Sequence, residues 1–135
     1  MTVVPIWLAA DAGYKLCIRI YLNGDGIGRS THVSLFLVVM RGNYDPLVTW
    51  PFNRRVTFTI PAQSVDSAHS PMIDSFRPDP SCSSFHRPTS DMNVAAGFPK
   101  FMPVNELDNA RYVKDDTLFV SVSVDMATEI TRRDG

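Results

Sequence analysis

Two side chains near the start of the sequence have the types and the spacing to bind a carboxylate together. Arg19 and Tyr21 are two residues apart in a segment that alternates apolar and polar residues, and on a β-strand this spacing places both side chains on one face, about 7 Å apart. A guanidinium beside a phenol hydroxyl can donate several hydrogen bonds to a single carboxylate. The spacing alone also permits a cross-strand pair with an internal Asp or Glu, so both interpretations stay open.

A second group of polar side chains follows Asp79-Pro80. We call residues 81–85 (Ser-Cys-Ser-Ser-Phe) the serine loop. Small hydroxyls in a loop bounded by proline can donate hydrogen bonds to an acceptor on a passing peptide. The same residue types are common in turns, and on the sequence alone a simple turn is the better interpretation.

The glycine-rich residues 23–28 (Asn-Gly-Asp-Gly-Ile-Gly) could be taken for a phosphate-binding loop. Such a loop requires a helix that begins directly after it within a βαβ unit. Here Arg29–His32 lead into another apolar, strand-like segment, so we predict a hairpin turn. A calcium loop is excluded because the acidic ligands at alternate positions and the distant Glu are missing.

No residues have the pattern of a catalytic or metal site. His32, His69 and His86 are far apart, neither cysteine belongs to a Cys-x-x-Cys pair, and no nucleophile-elbow sequence surrounds any serine. Asp115-Asp116 is typical of a turn before the last strand. We therefore predict no catalytic residues, no metal, no cofactor and no enzyme activity.

The elements that must position these residues are predicted to be strands. Apolar residues alternate from Leu16 to Leu22, again from Val56 to Ile60, and again from Leu118 to Val124. Residues 32–40 are apolar on both faces, which predicts a central strand. Between Pro61 and Pro103 we predict ordered loops, with short strands near 72–76 and Phe85. The sequence predicts an all-β protein, an antiparallel sandwich, with one short helical turn at 104–108.

Composition excludes several functional classes. The 135 residues carry a formal net charge of −1, which gives no electrostatic reason to expect nucleic acid as a partner. No apolar run reaches the roughly 20 residues that cross a bilayer, so no direct membrane insertion is expected. With only Cys17 and Cys82, we predict reduced thiols and a cytoplasmic location.

Seven stretches of the chain, in order and consistently spaced between Gly13 and Asp125, resemble the carboxy-terminal domain of the tumour necrosis factor receptor-associated factor (TRAF) family, a branch of the MATH superfamily. These are residues 13–26 (GYKLCIRIYLNGDG), 31–36 (THVSLF), 50–53 (WPFN), 74–79 (DSFRPD), 83–88 (SSFHRP), 91–93 (DMN) and 112–119 (YVKDDTLF). The resemblance implies an antiparallel sandwich of seven to eight strands. It also implies a signalling adaptor that binds extended receptor tails as an added edge strand.

The resemblance further implies a ligand and its contacts. The ligand is a Pro/Ser/Ala/Thr-x-Gln/Glu-Glu peptide from the cytoplasmic tail of a tumour necrosis factor receptor-like receptor or from an adaptor protein. Arg19 and Tyr21, with Asp25 nearby, would bind the acidic ligand residue, and Cys82, Ser83 and Ser84 would hold the Gln. The pocket for the small ligand residue and the adjoining edge would be lined by Phe36, Phe76, Phe85, Ala96, Gly97 and Phe98.

Three positions depart from the family pattern. Cys82 replaces the first of three serines, and a thiol is a weaker donor than a hydroxyl. Ala96 stands where the family has a serine, and Phe98 where it has a small cysteine. We expect a weakened or altered Gln pocket and a narrower small-residue pocket, and we rank a Pro-x-Glu-x-x-aromatic/acidic ligand second.

The resemblance also predicts domain boundaries and assembly. Residues 1–12 look like a shortened first strand around Ile6-Trp7, residues 13–126 the peptide-binding domain, and residues 127–135 a carboxy-terminal tail. The family acts as trimers, so a homotrimer is expected of a full-length protein, and a monomer or weak oligomer of this chain. The alternative function is a MATH-type module that recognises Ser/Thr-rich degrons for ubiquitination.

Overall fold

Six strands and four short turns of 3₁₀ helix make up the regular structure of the residues that the structure describes. The computed structural model describes residues 13–63, 70–107 and 111–125. Its strands are β1 (Lys15–Tyr21), β2 (His32–Met40), β3 (Val56–Ile60), β4 (Met72–Phe76), β5 (Ala96–Pro103) and β6 (Ser121–Val124). The 3₁₀ turns cover Gly26–Gly28, Asp45–Leu47, Ser83–Phe85 and Val104–Glu106. In these residues no helix is long and apolar enough to cross a membrane.

The strands form two antiparallel sheets of three strands each. The first sheet has the order β1-β2-β5 and the second β4-β3-β6. Strand β2 is therefore central, as its two apolar faces predicted, and all but three of its nine residues are buried. The all-β antiparallel sandwich is confirmed. The prediction of seven to eight strands depends also on residues that lie outside the described ranges.

Alternation along the strands builds the core between the sheets. From β1, Leu16, Ile18 and Ile20 point inward, and from β3, Val56, Phe58 and Ile60 do so with no exposed surface. Each fully buried side chain of this size stabilises the fold by about 1.5–3 kcal/mol relative to an exposed one. Leu22, predicted to belong to the inward set, lies beyond the end of β1 and is 39% exposed.

Strand β5 was not predicted, and the expected strand at Phe85 was wrong. Residues 96–103 include Gly97, Pro99 and Pro103, which have low intrinsic preference for strands. They adopt this conformation because they pair with β2 at a sheet edge, where proline is tolerated. Phe85 instead ends a 3₁₀ turn. At the end of the chain, the alternating pattern from Leu118 becomes a strand only at Ser121.

The predicted turns are confirmed. β1 and β2 are antiparallel neighbours, so the glycine-rich segment between them is a hairpin connection. Asp115 and Asp116 have φ values of 53° and 60°, and they join Lys114 to Thr117, whose backbones exchange two hydrogen bonds of 3.1 and 3.0 Å. The helical turn expected at 104–108 occurs at Val104–Glu106. The predictions for residues 1–12, His69 and residues 127–135 lie outside the described residues.

Candidate functional site

Strand β5 forms an edge of the first sheet in the part of the chain that the structure describes. It pairs with β2 on one side and has no strand on its other side among these residues. Such an edge presents backbone N–H and C=O groups that an extended peptide can pair with. The register with β2 places Gly97 opposite Phe36, and Phe36 in turn is opposite Arg19 on β1. Arg19, Phe36 and Gly97 therefore lie side by side in one row that crosses the sheet from β1 to the free edge of β5.

A bulge in β5 is held by a buried serine that the sequence analysis did not single out. Val33 pairs with Met102 and Leu35 with Phe98, so Ser34 alone faces residues 99–101. The Ser34 hydroxyl donates to the Pro99 carbonyl at 2.7 Å and accepts the Asp25 N–H at 2.9 Å. Ser34 has no exposed surface. This one hydroxyl therefore ties the loop that carries Asp25 to the edge strand.

The hairpin loop also touches the edge strand directly. A Cβ atom on Gly28 would lie 1.9 Å from the Pro99 carbonyl oxygen, so only glycine permits this approach. The glycines predicted to make a turn thus have a second role, since Gly28 lets the loop pack against β5. The position of Asp25 relative to the edge strand follows from this contact and from Ser34.

Arg19 and Tyr21 share the outer face of the first sheet, as predicted from their spacing. The Tyr21 ring packs edge-on against Phe36, with centroids 5.8 Å apart. Arg19 extends across β2, because its Nη2 atom lies 3.1 Å from the sulfur of Met92. Met92 pairs with Met40, which already pairs with Lys15 on the β1 side, so Met92 lies on the β5 side. The guanidinium therefore reaches across β2 to the side on which β5 pairs, although the Arg19 backbone lies on β1.

The serine loop has a defined conformation and lies against β2. The 3₁₀ turn Ser83–Phe85 is preceded by Asp79, whose carboxylate accepts the Ser81 N–H at 2.9 Å and the Ser81 hydroxyl at 2.8 Å. These two hydrogen bonds, the backbone one first, lower the pKa of Asp79 from its usual value. Ser83 is exposed, Cys82 is half-buried, and Ser84 is 7% exposed. Ser83 is the most accessible of the three predicted Gln contacts.

Aromatic rings join the two sheets beside the edge strand. Phe98 of β5 lies 5.7 Å from Phe76 of β4 and 6.1 Å from Phe58, measured between ring centroids. Phe76 also lies 6.0 Å from Phe85. Phe85 is only 4% exposed, whereas Phe76 and Phe98 are half-buried. Of the predicted pocket residues, Phe76 and Phe98 are thus available at the surface, and Phe85 supports them from the core.

The two cysteines are free and differ in their surroundings. Cys17 lies on β1 and is buried, which raises the pKa of its thiol, while the nearby Arg19 lowers it by a smaller amount. Cys82 is half-buried in the serine loop. Over residues 13–63, 70–107 and 111–125, no three His, Cys, Asp or Glu side chains are grouped as a metal site would require.

The predicted site residues thus form one region around the free edge. Arg19, Tyr21 and Phe36 lie on the outer face, Gly97 is opposite Phe36, and Asp25 lies beside the bulge. Ala96 packs against the core, and the Phe98 ring lies 5.7 Å from the Phe76 ring. Sequence reasoning missed Ser34, Met92 and β5 itself. The only signal for Ser34 was a serine within an otherwise apolar strand. Over residues 13–63, 70–107 and 111–125, the chain is thus a two-layer antiparallel β-sandwich in which β5 is an edge strand.

Comparisons with known proteins agree with that class. Residues 2–121 match the family model described as TRAF/meprin, MATH domain. The chain is 51% identical over 126 residues to TNF receptor-associated factor 1 of Homo sapiens, covering 92% of this chain and 30% of that protein. It is 51% identical over 116 residues to TNF receptor-associated factor 5 of Homo sapiens, covering 84% of this chain and 20% of that protein.

A solved structure supports the same assignment. The structure of TRAF5 from Notothenia coriiceps superposes with a TM-score of 0.81 at 46% identity, covering 87% of this chain and 58% of that one. The chain belongs to the TRAF/meprin MATH-domain family, and it is homologous to the TNF receptor-associated factors. It spans less than a third of the length of the curated relatives named above.

Proposed function

We propose that this chain is a cytoplasmic adaptor domain that binds short acidic peptides along the free edge of β5. The peptides have the form Pro/Ser/Ala/Thr-x-Gln/Glu-Glu and come from the cytoplasmic tails of tumour necrosis factor receptor-like receptors or from adaptor proteins. Backbone hydrogen bonds to β5 supply part of the affinity, and side-chain contacts supply the selectivity. The names of the homologous proteins, which are TNF receptor-associated factors, support this class of partner.

The observation that carries the proposal is the position of the Arg19 guanidinium. It spans the outer face of β2 and reaches Met92 on the β5 side. A guanidinium has five N–H donors, and the contact with the Met92 sulfur uses a donor of Nη2 alone. A ligand carboxylate beside the edge strand can therefore accept hydrogen bonds from the remaining donors, which gives the charge-assisted contact that acidic peptides require.

The remaining contacts follow from the same geometry. Tyr21, packed on Phe36, adds a phenol hydroxyl on the face that carries Arg19. A Cβ atom on Gly97 would lie 2.5 Å from the Leu35 carbonyl oxygen, so glycine lets β5 pair with β2 opposite Phe36. The exposed Ser83 hydroxyl and the half-buried Cys82 thiol would contact the ligand Gln. Phe98 narrows the space beside Phe76, which favours a small residue at the start of the motif.

Binding to one site should be weak, because few anchors offset the ordering of a flexible peptide. Linked sites in a trimer of a full-length protein would raise the apparent affinity by about 10²–10⁴. For this reason the test uses isolated peptides and a direct measurement of the dissociation constant, so that avidity does not mask the loss of one contact.

Fluorescence polarisation with a labelled Pro-x-Gln-Glu peptide tests the proposal. We expect saturable binding that is weakened at least tenfold, about 1.4 kcal/mol, by Arg19→Ala and by replacing Gln and Glu of the peptide with Ala. The matched control is Arg55→Ala, which removes the same charge from an exposed position next to β3 in the other sheet. It should leave the dissociation constant unchanged.

Two outcomes would contradict the proposal. One is no binding by a chain whose cooperative unfolding demonstrates that it is folded. The other is an equal loss of affinity in Arg19→Ala and Arg55→Ala, because that result would mean that only net charge matters. A Ser/Thr-rich degron peptide run in parallel covers the alternative function, and its binding in place of the Gln-Glu peptide would favour that alternative.

A further inference from the structure

Three consecutive carbonyl groups, two at the end of the serine loop and one on the residue that follows it, accept hydrogen bonds from residues elsewhere in the chain. The side-chain amide of Asn93 donates to the Ser84 carbonyl at 3.0 Å and to the His86 carbonyl at 2.8 Å. The Phe85 carbonyl between them accepts the N–H of Phe52 at 2.7 Å. An asparagine amide has two N–H hydrogens, so Asn93 uses both of them on this loop. Because both partners are carbonyls, the amide nitrogen must face the loop.

Asn93 itself is fixed to the central strand of the first sheet. Its backbone N–H donates to the Val39 carbonyl at 2.9 Å, and the N–H of Arg41 donates to the Asp91 carbonyl at 2.9 Å. Met92 between them pairs with Met40. The Arg41–Asp91 ion pair of 2.9 Å is exposed and adds little to this attachment. The backbone bonds therefore set the position from which the Asn93 side chain reaches the serine loop.

The other hydrogen bonds of the serine loop join residues that are close together in the sequence. The Cys82 N–H donates to the Asp79 carbonyl, the Phe85 N–H to the Cys82 carbonyl, and the His86 N–H to the Ser83 carbonyl. Bonds of this kind set the shape of a turn but not its placement against a sheet. The placement depends on the Phe85 ring in the core, on Phe52, and on Asn93.

We propose that Asn93 is a positioning residue, which sets where the Cys82 thiol and the Ser83 hydroxyl stand relative to the edge strand and thereby sets selectivity for the ligand amide. The inference rests on the proposed function. The adjacent Met92 contacts the Arg19 guanidinium, so residues 91–93 touch both the group that binds the ligand carboxylate and the loop that binds the ligand amide. The spacing between the two recognition sites is thus determined by one short segment.

Asn93→Leu removes both donors and keeps the approximate size of the side chain. With the parent Pro-x-Gln-Glu peptide we expect about fivefold or greater loss of affinity. In this variant the Gln→Ala change in the peptide should have little further effect, whereas the Glu→Ala change should cost as much as in the native chain. Asn93→Asp, which replaces the donating NH₂ group with a carboxylate oxygen facing two carbonyls, should behave in the same way if Asn93→Leu does not fold. Asn105→Leu, at an exposed position, is the matched control.

A second measurement reports on the accessibility of the serine loop and needs no peptide. Labelling of Cys82 by a thiol reagent, mapped by mass spectrometry, should be faster in Asn93→Leu than in the native chain, while labelling of the buried Cys17 stays unchanged. Increased labelling of both cysteines would indicate general loosening of the fold and would overturn the positioning role. Comparing the two cysteines thus distinguishes an effect of Asn93 on the serine loop alone from an effect on the whole fold.

The results distinguish failure of this inference from failure of the proposed function. A folded Asn93→Leu chain that keeps the native preference for Gln, or loses affinity equally for all three peptides, overturns the inference and leaves the proposed function standing. A native chain that binds no peptide refutes the proposed function. In that case unchanged Cys82 labelling in Asn93→Leu also refutes the positioning of the loop, and faster labelling supports it.

Discussion

The β1–β2 hairpin and the serine loop with its edge strand are held together by different interactions. The hairpin has seven consecutive backbone pairs, from Lys15–Met40 to Tyr21–Ser34, and its inner face is fully buried. The region around β5 has an interrupted register, two prolines and a half-exposed aromatic surface. It depends on single side chains, Ser34 and Asn93, whose polar groups bond to backbone carbonyls.

This difference separates stability from recognition. Apolar burial on the inner face of the hairpin is spread over many contacts, so any one of its inward-facing side chains contributes to the free energy of unfolding without orienting a ligand. Near β5 a few directional hydrogen bonds place the groups that face an incoming peptide. Substitutions on the inner face of the hairpin should therefore change stability and leave affinity intact, and substitutions of the polar groups that face β5 or the serine loop should change affinity as well.

Leu16→Ala should have the largest effect on stability. Leu16 is 2% exposed on the inner face of β1, and such a truncation costs about 2–5 kcal/mol. We expect the urea midpoint to fall with an unchanged slope, and the fraction that remains folded to bind peptide with native affinity. Leu47→Ala, at 80% exposure, should change neither property. If Leu16→Ala weakened peptide binding by the folded chain, the proposed separation of stability from recognition would be wrong.

Ser34→Ala should lower both the stability of the fold and its affinity for peptide, and the loss of stability should be smaller than in Leu16→Ala. The substitution leaves the Asp25 N–H and the Pro99 carbonyl without their hydroxyl partner at a site with no exposed surface. The expected loss is about 1–3 kcal/mol of stability. Because Ser34 ties the hairpin loop to β5, affinity for the peptide should fall as well. The control is Ser121→Ala at an exposed strand position. Equal stability of the two variants in urea titrations would contradict this role of Ser34.

The smallest expected effect is a difference in labelling rate between the two thiols, Cys17 in the hairpin and Cys82 in the serine loop. Burial raises the pKa of Cys17, so at neutral pH less of it is thiolate, the reactive form. We expect Cys17 to be labelled about tenfold or more slowly than the half-buried Cys82. The stability that comes from keeping Cys17 neutral is present below the unfolded pKa of roughly 8.5 and is lost as pH rises toward the raised folded value. Similar labelling rates for both thiols at pH 7 would refute the expected difference in protection.

Much of the hairpin and of the core could be predicted from the sequence. Strand β2 was predicted with its bounds and its central place, and Val56, Phe58 and Ile60 were predicted to point inward, because alternation of apolar residues is a local pattern. The turn at Asp115-Asp116 was predicted for the same reason, since Asp tolerates the left-handed backbone conformation. The site residues taken from the family resemblance lie around one edge, but their roles in binding remain predictions.

Strand β5, the bulge at Ser34 and the link from Asn93 to the serine loop were decided by the tertiary structure alone. Gly97, Pro99 and Pro103 oppose a strand by local preference, and only pairing with β2 overcomes that preference. Hydrogen bonds such as Asn93 to Ser84 join residues whose approach depends on how the chain returns to the sheet. By itself the sequence determined the inward-facing residues within β1 and β3 and where the chain turns, because both follow from neighbouring residues. The arrangement of groups at the edge depends on distant contacts, which no local pattern encodes.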